Sequence, residues 1–131
     1  MAKSEVRRAI VTPDKHFPYE DKPAIQALIK AIKLVKPDIY VDLGDVGEWE
    51  SVSMWKWKRK KQPPLEHMIP DIEKDIEDVN RGMDQIDRAL DKVKCKERHF
   101  TEGNHDNWLN RFVEGYPYLP QYRLKNAIKL A

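Results

Sequence analysis

The sequence predicts an α/β fold with a parallel-sheet core and flanking helices. Three observations point there. Short β-branched runs alternate with helical patterns, and the first two runs halt at a proline or glycine turn. A long helical pattern also precedes the third run, giving the order strand, helix, strand, insert, helix, strand, which implies parallel pairing.

Taken in order, Arg7 to Thr12 (RRAIVT) forms the first buried strand and Pro13 stops it. Asp21 can cap the next helix, with Pro23 in its first turn. Ile25, Leu28, Ile29, Ile32 and Val35 then share one helical face until Pro37 ends the element. Asp38 to Leu43 (DIYVDL) is the second strand, stopped by Gly44. Trp49 to Pro64 reads as a basic, tryptophan-rich loop, with Trp49, Trp55 and Trp57 among Lys56, Lys58, Arg59, Lys60 and Lys61. Such a mixture suits single-stranded nucleic acid, since bases offer π faces and linkages offer negative charge; it equally suits a solvated loop whose tryptophans cover a neighbouring helix.

From about residue 69 to 93, Ile69, Ile72, Ile76, Val79, Met83, Ile86, Leu90 and Val93 alternate spacings of three and four. This narrow seam fits a helix lying on the sheet or one pairing with another chain, and Gly82 inside it weakens both versions. Arg98 to Thr101 is the third strand, leading into Gly103. Trp108, Leu109, Phe112 and Val113 recur at helical spacing, Tyr116 to Pro120 is a turn, and a short apolar helix starts at Gln121. With no repeat or linker, residues 1–131 form one domain.

Composition narrows the chemistry. No apolar run approaches the roughly 20 residues of a membrane span, and Met1 to Glu5 lacks a signal peptide's apolar stretch, so a cytoplasmic location is expected. The single Cys95 excludes an internal disulfide and a thiolate metal cluster, leaving Asp, His, Asn and Glu as metal donors. A net charge of +2 is too small to imply a polyanion partner by itself.

Three blocks follow the three strands: Asp14-Lys15-His16, Gly44-Asp45-Val46-Gly47-Glu48 and Gly103-Asn104-His105-Asp106. In a parallel sheet the carboxyl ends of the strands open onto one edge, so these residues converge there. Mixed oxygen and imidazole donors suit Mn, Fe, Zn or Mg-type ions, and Gly44 and Gly103 let the backbone approach them closely. Each block alone is weak; their order and shared position are specific.

In those blocks, DKH, GDVGE and GNHD, the sequence resembles the calcineurin-like metallophosphoesterase superfamily over Val6 to about Trp108, and most of all short bacterial and phage-type members. The resemblance implies that Asp14 and His16 bind a first metal, Asp45 bridges two, and Asn104 binds the second. It implies that His105 serves the leaving oxygen and that Glu48 orients His105. Asp106 is expected as a structural hydrogen-bond acceptor rather than a ligand. The implied reaction is phosphodiester hydrolysis by a hydroxide held between the metals, on nucleic acid or a nucleotide. Trp55, Trp57, Lys56, Lys58 and Arg59 would contact that substrate from a flap beside the metal edge. His67 and His99 are expected at the surface or against the sheet, without a ligand role.

The family's later histidine and GHxH blocks have no counterpart, since no histidine follows His105. The resemblance therefore reaches only the first half of the family's α/β sandwich, leaves the second metal short of ligands, and leaves a sheet face without its partner layer. A homodimer or a complementing C-terminal polypeptide would supply both. A nucleotide- or nucleic-acid-binding module of little activity, and a non-functional fragment of an interrupted gene, stand beside the enzyme reading.

Overall fold

A computed structural model describes residues 6–128. Strands β1 (Ala9–Thr12), β2 (Ile39–Asp42) and β3 (Glu97–Phe100) form one parallel sheet in the order β1-β2-β3, with Val11 opposite Val41 and Val41 opposite His99. The α/β architecture expected from the alternating runs is present. Between β1 and β2 runs α1 (Lys22–Val35), begun by the Asp21 side chain accepting from the Ala24 amide at 3.2 Å. Lys36 closes it in a left-handed conformation ahead of Pro37.

The segment read as a loop is largely helical. A 3-10 turn at Glu50–Val52 leads into α2 (Met54–Arg59), whose first turn is capped by the Ser53 hydroxyl accepting from the Lys56 amide. Six residues dominated by cations and tryptophan carry too little apolar periodicity to announce a helix. The next helix, α3 (Leu65–Lys92), starts ahead of the first seam residue, Ile69, directly after Pro63-Pro64, and tolerates Pro70 in its second turn at the loss of one helical hydrogen bond.

The seam lies on its own chain: Ile72, Val79, Ile86 and Leu90 are buried in a core shared with Ile25 and Ile32 of α1. Of the two versions, the helix packed within its own domain is the one observed. Gly82, read as a weakness, is instead the point of closest approach. A Cβ there would overlap the ring of Phe17, itself only 1% exposed and without room to retreat. Gly82→Ala should therefore lose about 1–2 kcal/mol, overpacking outweighing the roughly 1 kcal/mol alanine gains in a helix. A urea midpoint at or above that of the parent chain would show that the ring gives way.

After β3, α4 (Asn104–Gly115) buries Trp108, Leu109, Phe112 and Val113, and a 3-10 turn at Pro120–Tyr122 precedes α5 (Leu124–Ala127). Strand alternation splits the sheet into two unlike faces. Ile10, Tyr40 and Phe100 join the core, whereas Val11, Ile39, Val41 and His99 of the other face contribute nothing to it among the described residues. Val11 is 54% exposed and Leu43, just past β2, is 48% exposed. Parallel sheets ordinarily have both faces covered. Among the described residues, no helix is long and apolar enough to cross a membrane.

Candidate metal centre

The three blocks meet because backbone hydrogen bonds continue past the strand ends. The Asp14 amide donates to the Gly44 carbonyl at 3.1 Å, the His16 amide to the Asp45 carbonyl at 2.9 Å, and the Phe17 amide to the Val46 carbonyl at 2.8 Å. From the third block, the His105 amide donates to Asp45 Oδ1 at 2.9 Å. Close packing requires the glycines. A Cβ on Gly44, at φ +98°, would overlap the Gly103 nitrogen and the Thr101 carbonyl, and one on Gly103 would overlap the Asp45 carboxylate. Asp14, His16 and Asp45 all hold left-handed φ of 50°, 48° and 51°. Asp and His are among the residues that tolerate this region, yet three together is a concentration of strain of the kind found at functional sites.

Donor atoms of Asp14, His16 and Asp45 all lie within 4.8 Å of one another, and so do those of His16, Glu48 and His105. About 4 Å is twice a metal–ligand bond of about 2.1 Å, so either trio has room for one cation. A further observation agrees. Among the described residues His16 Nδ1 is buried without a hydrogen-bond partner, and Glu48 Oε2 stands 2.9 Å from it. Unpaired imidazole nitrogen beside carboxylate oxygens is the donor chemistry expected for Mn, Fe, Zn or Mg-type ions, so the residues present fit the group. Asn104, the remaining expected ligand, is the exposed first residue of α4, next to the Gly103 against which the Asp45 carboxylate lies.

Glu48 meets His105 chiefly through its backbone. His105 Nδ1 is held at 2.9 Å by the backbone carbonyl of Glu48, while the Glu48 carboxylate stands 3.9 Å from it and closer to His16. A carbonyl only accepts, so Nδ1 carries the proton and Nε2 is the free nitrogen of His105. The His105 ring packs edge-on to His16, with centroids 4.8 Å apart, and lies against Trp108 at 4.0 Å.

Asp106 is the acceptor anticipated. Fully buried, its Oδ2 takes the Asp45 amide at 2.7 Å and the Gly103 amide at 3.0 Å, and its Oδ1 takes Trp49 Nε1 at 2.9 Å. Burial pushes its carboxyl above the usual carboxylate range, against the pull of those donors. Trp49 therefore leaves the basic flap and belongs to the core, at 1% exposure. Trp57 is half-buried, its Nε1 donating to the Ser51 carbonyl, and only Trp55 stands out, at 66%. The Lys56 ammonium is 4.9 Å from the Trp57 ring centroid and that of Lys58 is 5.2 Å from Trp55, while Arg59 is exposed. His67 and His99 are both at the surface.

Sequence reasoning passed over Lys15 and Asp42. Lys15, between two expected ligands, is buried with its Nζ 2.9 Å from Asp42 Oδ2 and 2.8 Å from the Thr12 hydroxyl. Asp42 Oδ1 in turn accepts from the Gly44 amide at 2.9 Å, tying this pair to the turn that carries Asp45. A carboxylate inside the apolar run DIYVDL was the available signal. No protein-family model, curated protein or solved structure matches this chain.

Proposed function

We propose that this chain is a metal-dependent phosphoesterase of the calcineurin-like kind, acting on a phosphodiester of a nucleotide or nucleic acid. The convergence of Asp14, His16 and Asp45 on one sheet edge, beside His105, carries the reading. Bound divalent ions would neutralise charge on the phosphoryl oxygens and activate water. The chain's own residues supply the rest. His105, with Nδ1–H fixed by the Glu48 carbonyl, keeps Nε2 for the leaving oxygen; as the doubly protonated imidazolium it would give up the Nε2 proton there and be left as the Nδ1–H imidazole. Glu48 places a carboxylate oxygen 2.9 Å from His16 Nδ1. Asp106 holds the Asp45 backbone in register with α4. Lys56, Lys58 and Arg59 of α2 would draw in the phosphate backbone, with Trp55 and Trp57 as stacking surfaces.

The sheet face carrying Val11 and Val41, which adds nothing to the core among the described residues, supports a need for a partner layer, either a second copy or a complementing C-terminal polypeptide. Slow turnover is therefore expected of the isolated chain. Manganese titration by calorimetry is the direct test, with hydrolysis of bis(p-nitrophenyl) phosphate beside it. Asp45→Asn should weaken manganese binding at least tenfold, about 1.4 kcal/mol. Equal affinity in the two proteins would remove the metal centre and the reading with it. The exposed Trp55 with Lys58 on its ring favours a second reading, a nucleic-acid-binding module without turnover. That reading requires oligonucleotide binding that falls with salt and ignores Asp45→Asn.

A further inference from the structure

We infer that the open cavity lined by α2, α3 and α4 is a pocket for the nucleobase of a phosphorylated ligand. Its walls and its charge both bear on this.

The cavity is about 500 Å³, within the range of roughly 300–1,000 Å³ usual for small-molecule sites. Trp57, Met68, Trp108, Phe112 and Tyr116 wall it, and the Phe112 and Tyr116 rings lie 4.9 Å apart, tilted by 38°. Aromatic faces at several angles can take a flat heteroaromatic ring by stacking or edge contact. Lys58 and Arg111 also line it, and among the described residues no carboxylate does. An apolar compartment with cations and no acid complements a flat ring bearing a phosphate better than an uncharged apolar molecule.

Trp108 is the wall between the cavity and the metal edge. This side chain lines the cavity, packs against His105 at 4.0 Å, and His105 in turn packs against His16 at 4.8 Å. A base held against Trp108 would sit two rings from the expected metal ligand. Trp55, by contrast, points into solvent and is absent from the cavity wall, so base recognition falls to α4 and Trp57 rather than to the whole flap. The phosphate's destination rests on the phosphoesterase reading; base binding itself does not.

Calorimetry on the full chain in EDTA separates the two. Adenosine 5′-monophosphate should bind at least tenfold more tightly than ribose 5-phosphate, because only the former stacks a base. Gly115 lines the cavity, and a Cβ there meets no atom within 4 Å, so Gly115→Leu can obstruct the pocket without disturbing the core. That variant, and separately Trp57→Ala, should lose the preference for the nucleotide, with unchanged circular dichroism. Asp45→Asn should keep it. Equal binding of the two phosphates, an unaltered preference in both pocket variants, or no nucleotide binding at all would overturn the pocket. A preference retained alongside unchanged manganese affinity in Asp45→Asn would sink the metal reading alone.

Discussion

Asp106→Ala should cost the folded chain roughly 3–5 kcal/mol, a large part of the roughly 5–15 kcal/mol that holds a domain of this size together. The reason is geometric. One carboxylate, wholly out of solvent, terminates three donors from three separate places: the Asp45 amide, the Gly103 amide and the Trp49 indole. Each buried donor left without an acceptor costs about 1–3 kcal/mol, and relief of the carboxylate's own desolvation returns part of the sum. Urea unfolding should show the midpoint falling by on the order of 2 M. Asp106→Asn should rescue little, since its amide nitrogen would face one of those donors with another donor. Manganese affinity should fall in parallel, because the Asp45 backbone loses its tie to α4. An alanine variant as stable as the parent chain would mean that water reaches the three donors and that Asp106 does not organise the site.

Lys15→Met should lose a comparable amount, about 3–5 kcal/mol, by stranding Asp42 as an unpaired charge in the interior. The pair is nearly solvent-free, at 5% exposure for Lys15 and 4% for Asp42, and stands 2.9 Å apart. Breaking one side is costly where replacing both is not. The double variant Lys15→Met, Asp42→Asn should therefore recover much of the loss, its amide oxygen still able to accept from the Gly44 amide. Unfolding curves for the two single variants and the double one give the coupling. If the double variant were as unstable as the sum of its parts, the pair would be two independent contacts rather than one buried ion pair.

Both effects come from residues that differ in how legible they were. Asp106 follows a glycine turn and opens a helix, a local pattern in which an acceptor at the third helical position is foreseeable. Lys15 gives no such sign. Flanked by Asp14 and His16 it reads as a surface cation, and only the close approach of β1's end to β2 aims it at Asp42. Gly82 is the same lesson in apolar form, since nothing within its own helix indicates that the Phe17 ring will lie across it from 65 residues away.

What the sequence by itself determined was periodic or local: three strand positions, the two long helices between them, and three turns rich in Asp, His and Asn at the strand ends. These are encoded in adjacent residues, where turn chemistry and hydrophobic spacing act directly. Tertiary structure alone decided which atom of Glu48 meets His105, the pairing of Lys15 with Asp42, the withdrawal of Trp49 into the core, which face of the sheet joins that core and the cavity behind Trp108. Each of these depends on the distance and angle between segments tens of residues apart. That geometry is set by the packing of whole elements against one another, which no short stretch of chain contains.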